Sequence, residues 1–447
     1  MQAKPQKHTP QTDLLQGDLE FLIDLNHELC LLADRINWNK FEEDFAEYFP
    51  ANCGNPALPA RLVVGVLYLK HAFGLSDEAV VSMWKENPYW QYFCGMQYFQ
   101  HELPFHPTSL IKWRKRLGEA GCEKLLKELI EVAIREDVIK EKDLKKVIID
   151  TTVQEKAITF PTDSKLQHKA RLLLLKQARK FGIKLRQSYL RLGKKALFRG
   201  SRYTSAQQMK RARKQNKLVK RYLGCVYRDI KRQLEKQSNL KVHFADLLEK
   251  TDRILNQKRK DKNKLYSLHA SEIECIGKGK ARKKYEFGVK VSIATTHKSN
   301  FVVGIKALPG NPYDGHTLSD TLNQIEDLTG TRPSDSYVDL GYRGNDEKSC
   351  KIHVTRNKRD LKTYALRKDM KRRSAIEPVI GHMKSDGLLG RNYLQGTTGD
   401  KINALLCGAG HDLRIILRKL RLFWLKIFLD FNFYFGGIKP GFPLSRE

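Results

Sequence analysis

Apolar positions along the chain follow two periods. From Asp18 to Phe49 and again from Leu58 to Phe73 they recur every three or four residues, the spacing of an amphipathic helix. Gly74 suits a turn, and Ser76 followed by Asp77 and Glu78 predicts an N-cap for a helix through Glu86. A further helix is predicted after Pro107, capped by Thr108 or Ser109. The period then changes. Lys146 to Val153 (KVIIDTTV) is a β-branched run that predicts a buried strand. Lys284 to Thr296 and Asn300 to Leu308 alternate as the arms of a hairpin, Asp335 to Leu340 (DSYVDL) is a strand stopped by Gly341, and Lys351 to Val354 is a short further strand. Helices are predicted over His316 to Leu328, with Thr317 and Asp320 spaced as a capping box, and over Lys368 to Asp386, with a kink or break at Pro378. Between the first two strands lie Ala170 to Phe181, Tyr203 to Ile230 and Val242 to Asn256, all helical in period.

Without those middle helices the order is strand, strand, strand, helix, strand, short strand, helix. That order predicts an α/β ribonuclease H-like catalytic domain interrupted after its first strand by a basic all-helical insertion, with an N-terminal helical, helix-turn-helix-like domain ahead of it. The expected divisions are 1–135 for the N-terminal DNA-binding domain, 140–160 with 280–390 for the catalytic domain, 161–270 for the insertion and 391–447 for a C-terminal helical segment. A length of 447 residues, 41% apolar, is enough for two or three cored domains.

Charge changes the picture most. Lys and Arg number 82 against 50 acidic residues, a net charge of +32, which calls for a polyanionic partner. Residues 161–264 alone hold 32 Lys and Arg against 7 Asp and Glu, an excess of 25. Like charges so concentrated repel along a helix unless a polyanion relieves them, so Arg211, Arg213, Lys214 and Lys217 are expected to contact a nucleic acid, DNA or RNA. In the helix after Pro107, Lys112, Arg114 and Arg116 surround Trp113; they suit a DNA-contacting helix, or Trp113 belongs to the core of a small bundle. The eight cysteines show no C-x-x-C pair and no zinc spacing, which predicts reduced packing thiols. The first seventeen residues lack an apolar core, and Arg421, Lys426 and Asp430 interrupt the aromatic stretch Leu420 to Phe435, so a cytoplasmic, nucleoid-associated protein without membrane contact is expected.

Asp150 and Asp339 each end an apolar strand. If those strands lie side by side and parallel, both carboxylates emerge at one edge of the sheet, and Glu377 would come from a helix across it. Arg373 four residues before Glu377 and Lys384 seven after share about one helical face, two cations suited to phosphates beside an acid. Carboxylates so placed can hold two divalent ions about 4 Å apart, the arrangement that stabilises both the attacking and the leaving oxygen in phosphodiester cleavage. Asp335, Asp320 and Asp314 are weaker candidates: the first starts its strand, the second fits a cap, the third lies in a Pro/Gly turn. Gly277-Lys-Gly-Lys280 lacks the full phosphate-loop pattern, and His316 fits a turn better than a DNA contact.

Asp150-Thr-Thr, Asp339-Leu-Gly-Tyr-Arg-Gly and Arg373-Ser-Ala-Ile-Glu377 with Lys384 resemble the three blocks of the DDE transposases of bacterial insertion sequences, particularly the insertion sequence five family. The N-terminal helical region, Tyr285 to Thr296, Pro309 to Thr317 and Asn403-Ala-Leu-Leu-Cys-Gly-Ala-Gly-His411 resemble it too. The resemblance implies that Asp150, Asp339 and Glu377 bind Mg²⁺ or Mn²⁺, as two ions, and that Arg373 and Lys384 position DNA. It implies a protein that binds terminal inverted repeats, hydrolyses a strand and joins the 3′ hydroxyl to target DNA, as a homodimer holding paired ends. Met370 departs from the tyrosine usual in the glutamate block, and the tail from Phe423 has no counterpart. A DNA-binding protein without catalysis and a nuclease of the same fold stay open at this point.

Overall fold

The computed structural model describes residues 17–48, 58–258, 261–277, 283–355 and 363–435. Gly54, Pro56, Cys53, the 278–280 part of the Gly/Lys turn and the last residues of the tail lie outside them. The described chain divides into two compact units, Met1–Glu155 with Val289–Glu447, and Lys156–Gly288.

The first unit opens with α1 (Leu19–Leu22), α2 (Glu28–Arg35), α3 (Trp38–Phe45), α4 (Ala60–Ala72), α5 (Asp77–Glu86), α6 (Pro88–Phe93) and α7 (Ser109–Arg135). Ser76 caps α5 as its sequence predicts, its hydroxyl accepting from the Ala79 N–H at 3.0 Å. Almost every residue of α4 is buried, which fits a helix apolar on nearly all sides. Gly118 interrupts α7 at φ +62°, where a side chain would be strained, and so bends a segment that its period reads as one helix.

β1 (Lys146–Glu155) follows, and the chain then enters the second unit through α8 (Asp163–Lys180), α9 (Leu190–Ser205), α10 (Met209–Lys236) and α11 (Lys241–Asn256). These helices have a core of their own, with Leu174, Leu223, Ile230, Phe244 and Ile254 at zero exposure. β2 (Glu274–Gly277) pairs antiparallel with residues 285–288, the start of β3 (Tyr285–Thr296).

The remainder of the first unit holds β4 (Val302–Leu308), α12 (Leu318–Thr329), β5 (Asp335–Val338), β6 (Lys351–Val354), α13 (Tyr364–Arg372), α14 (Ile376–Ser385) and α15 (Gly396–Phe435). Its sheet is mixed: β4 pairs antiparallel with β3, β3 adjoins β1, and β1, β5 and β6 run parallel. The sheet shares one core with the N-terminal helices, α12 and α15. The predicted helix over Lys368–Asp386 is divided into α13, a 3₁₀ turn at Arg373–Ala375, and α14. Pro378 then falls in the first turn of α14, where a missing N–H breaks no helical bond.

Thr317 does not form the predicted capping box. Its hydroxyl donates backward to the Asp314 carbonyl at 2.7 Å, because Asp314–Thr317 already forms a 3₁₀ turn that runs into α12. The block Asn403–His411 earns its composition by packing. A Cβ on Gly408 would stand 2.9 Å from the Ile305 side chain, and one on Gly410 would stand 2.5 Å from the His71 backbone, so α15 closes on β4 and α4 through hydrogen atoms. Asn403 donates to Gln154 at 2.9 Å, while Gln154 donates to the Asp400 carbonyl at 3.0 Å. These buried amides fasten the far end of β1 to α15.

Candidate active site

β1 and β5 pair parallel in the register Lys146 with Asp335, Val147 with Ser336, Ile148 with Tyr337. Asp150 and Asp339 each lie two residues beyond the last of these pairs. Side chains alternate along a strand, so the register gives both carboxylates the same parity at the same edge of the sheet. Asp339 stands at the end of β5 as expected, but Asp150 does not end its strand: β1 continues to Glu155, because the apolar run extends beyond it. Each Asp spends one oxygen on the next residue, Asp150 Oδ1 accepting from the Thr151 N–H at 2.8 Å and Asp339 Oδ1 from the Leu340 N–H at 2.6 Å.

Glu377 reaches this edge through Arg373. The Arg373 guanidinium lies 3.1 Å from Glu377 Oε1 and 3.9 Å from Asp150 Oδ2. Its own side chain is 13% exposed, whereas that of Glu377 is 62% exposed. α13 holds the guanidinium's helix in place. Asp369 on α13 accepts from Lys146 Nζ at 2.7 Å and from the Tyr337 hydroxyl at 3.0 Å, and Arg372 donates to the carbonyls of His297 and Lys298. Met370 is buried in the core of this unit. Lys384, half-buried near the end of α14, lies two turns from Glu377 on the same helix.

The structure adds a residue that spacing alone assigns to a turn. Asp314 Oδ1 accepts from Thr151 Oγ1 and from Lys290 Nζ, both at 3.0 Å. A Cβ on Gly341 would stand 3.0 Å from Asp314 Oδ2, so the glycine after Leu340 lets the turn approach this carboxylate. Tyr342 is buried against the same group; burial first, and then the Asp150 and Asp314 carboxylates, push its phenol well above the ordinary range and keep it protonated. The only sequence signal for Asp314 was its place in the block Pro309–Thr317. No strand ends on it, which is why it ranked below Asp339.

Among the described residues no three His, Cys, Asp or Glu side chains converge closely enough to hold a metal ion. The donor chemistry nonetheless fits a hard divalent cation. The acids at this edge offer carboxylate oxygens alone, and a cationic side chain already lies against two of them.

The predicted DNA-contacting residues divide. Lys112 and Arg116 are exposed on α7. Arg114 is not a surface cation: it is 3% exposed and grips Asp77 with two bonds of 2.9 and 2.6 Å, while Lys70 reaches the same carboxylate at 3.0 Å. Burial pushes the Asp77 carboxyl up, but Arg114 and Lys70 together hold it below its usual value. Trp113 is buried beside Phe105, ring centroids 4.9 Å apart, so it belongs to the core. Arg211, Arg213, Lys214 and Lys217 are all exposed on α10. Cys30, Cys94, Cys122, Cys350 and Cys407 are buried packing residues, each thiol pushed up to about 12, chiefly by burial. No helix among the described residues is long and apolar enough to cross a membrane.

Residues 17–116 match the family described as Transposase domain (DUF772), and residues 250–409 match the Transposase DDE domain. A Rhizobium meliloti protein described as "Uncharacterized protein ORF8 in nfe locus" is 46% identical over 198 residues, covering 44% of this chain and 95% of that protein. No solved structure gives a significant match. The DDE match includes Asp339, Arg373 and Glu377 but begins after Asp150, whose place at the site therefore rests on strand register. A DDE domain implies a ribonuclease H-like fold and an enzyme of the transposase or nuclease type that acts on DNA, and such enzymes generally use divalent metal ions. The two transposase domains, matched in chain order, indicate a DDE transposase of an insertion sequence.

Proposed function

We propose that this transposase binds the terminal inverted repeats of its own element, cleaves a strand there by hydrolysis, and joins the freed 3′ hydroxyl to target DNA. The observation that carries the reading is the shared register and edge of Asp150 and Asp339, with Arg373 spanning from Asp150 to Glu377. Asp150, Asp339 and Glu377 would hold Mg²⁺ or Mn²⁺, as two ions. When bound, such ions lower the pKa of water and stabilise charge on the attacking and leaving oxygens. The chain's own part is positional. Thr151 and Leu340 N–H groups fix the two aspartates, and Glu377, the most exposed of the three acids, turns inward as Arg373 shifts from carboxylate to phosphate. Lys384, on the same helix, meets the next phosphate. Lys112 and Arg116 in the first unit, and separately Arg211, Arg213, Lys214 and Lys217 in the second, are further DNA contacts.

The finer assignment, also proposed, is the insertion sequence five family, carried by the three blocks around Asp150, Asp339 and Glu377. The functional divisions proposed are 1–135, 140–160 with 280–390, 161–270 as an insertion, and 391–447. A homodimer holding two DNA ends is the assembly that joining requires.

The test is metal-dependent cleavage of a DNA end from the parent element by wild type, Asp339→Ala and Glu377→Ala, with binding measured in parallel. Wild type is expected to cut with Mg²⁺ or Mn²⁺, and both variants to bind without cutting. Binding without cutting by wild type would sink the catalytic reading. A pre-cut end with a free 3′ hydroxyl should yield joined product; cutting without joining would make the protein a nuclease.

A further inference from the structure

The second unit contains a groove of about 1260 Å³ lined by the first half of α8, by α9 and by Asn216 of α10. α9 supplies most of it, from positions 190–191, 194–195, 197–198, 201 and 204–205, which at 3.6 residues per turn form one continuous face. This is a different surface from the α10 stretch around Arg211, none of whose four basic residues lines it.

Two features of the groove point to its occupant. The first is charge. Lys165, Arg191, Lys194 and Lys195 line it, all four are exposed, and none has an acidic partner among the described residues. Among the described residues no acidic side chain lines the groove. Behind it Arg171 is wholly buried, donating to the Ser188 carbonyl at 2.7 Å and meeting His168 Nδ1 at 3.3 Å, again without a carboxylate. A Cβ on Gly193 would stand 2.6 Å from Arg171 Nη2, so α9 carries a glycine where this cation needs the room. A guanidinium buried without a counter-charge is unfavourable, and the fold keeps one next to His168, a lining residue. Burial, then Arg171 and Lys194, hold the His168 ring below its ordinary range, as a positive field would.

The second feature is apolar. Phe198 lines the same groove and is 62% exposed, with the Arg202 guanidinium 5.8 Å from its ring centroid, and Leu172 and Leu190 lie exposed along the same walls. A duplex presents phosphates but hides the faces of its bases. A single strand presents both, and cations interleaved with an exposed aromatic ring are what bind it.

We propose that this groove holds an unpaired DNA strand, with phosphates on Lys165, Arg191, Lys194 and Lys195 and a base stacked on Phe198. It rests on the reading of the chain as DNA-binding and adds a preference for strand over duplex. The second unit would then hold DNA where the two strands part.

The full-length protein is tested against a labelled blunt duplex and the same duplex with an unpaired 3′ thymine tail carrying 2-aminopurine, at several salt concentrations. Wild type is expected to bind the tailed probe at least fivefold tighter and to quench the 2-aminopurine. Phe198→Ala, a change at an exposed side chain, should abolish the quenching and the tail preference while blunt-duplex affinity stays within twofold. Lys194→Glu with Lys195→Glu should lose the tail preference and reduce the salt slope for the tailed probe by about 1 to 2. Equal tail preference in wild type and both variants overturns the proposal. Displacement of the tail by polyglutamate of equal charge would also overturn it, in favour of an acidic peptide. If wild type binds neither probe, the DNA-binding reading itself fails. If it binds the blunt duplex as tightly as the tailed one, only the groove assignment does.

Discussion

Two stretches of this chain are equally basic to the eye and differ in what the fold does with them. In α7, Lys112 to Arg116 places four cations around Trp113; in α10, Met209 to Arg221 places seven among a few apolar residues. The first stretch has a carboxylate within reach. Asp77, at the start of α5, draws Arg114 inward and Lys70 joins it, so Arg114 is buried beside Trp113 while Lys112, Lys115 and Arg116 stay outside. In the second, Arg211, Arg213, Lys214 and Lys217 have no carboxylate partner among the described residues and stay on the surface, while Ala212, Val219 and Leu223 are buried. Basic composition therefore does not mark a DNA surface by itself. The supply of acids decides whether a cation is used inside or outside.

The largest expected effect tests the inside half of this contrast. Arg114→Ala leaves Asp77 with one partner in a largely dry site and should cost about 3 to 5 kcal/mol of stability, read from the denaturant midpoint. The DNA affinity of the folded fraction should not change. Intact stability with weakened DNA binding would instead put Arg114 on the DNA and break the comparison.

Reversing Arg211, Arg213, Lys214 and Lys217 to Glu should do the opposite: affinity for duplex DNA falls on the order of 100-fold at low salt and the salt slope drops by about 3 to 4, with the melting temperature little changed. Unaltered DNA binding would turn α10 into a protein-contact or purely structural helix. Smaller again, Lys112→Ala or Arg116→Ala should each lower the salt slope by about 1 and shift stability by no more than about 0.5 kcal/mol. A loss of stability as large as that from Arg114→Ala would show that the whole stretch is internal.

The smallest effect applies the same rule to a histidine. Burial pulls His411 from an ordinary 6.5 down to about 4, so the folded chain excludes a proton that the unfolded chain accepts. Its contribution to stability is full above pH 6.5 and is lost as pH falls toward 4. The melting temperature should decline across that window, less steeply in His411→Gln. Identical profiles for the two proteins would mean that solvent reaches the ring.

The same contrast explains what could be read from sequence. Strands such as Lys146–Glu155 and the hairpin of β3 and β4 follow from β-branched alternation, a local property, and the cap at Ser76 follows from its own next three residues. Asp314 and Arg114 could not be placed in this way. Each takes its surroundings from residues far along the chain, Thr151 and Lys290 for the one and Asp77 for the other. The capping box at Thr317 failed for a similar reason, since the preceding 3₁₀ turn had already engaged its hydroxyl. The register of β1 against β5 was also hidden, although it decides whether Asp150 and Asp339 are neighbours.

The placement of β1 has a consequence for how the molecule is made. Its strand is finished at Glu155, but its neighbours, β3 from Tyr285 and β5 from Asp335, are made only after some 130 further residues. At synthesis rates of about 5 to 20 residues per second, the ribosome needs on the order of ten seconds to deliver them. Throughout that interval the unpaired edges of β1 and its apolar run are a template for aggregation, while the second unit, with its own core, can fold behind it. The centre of this enzyme is thus assembled last, from a strand made early and partners that arrive late.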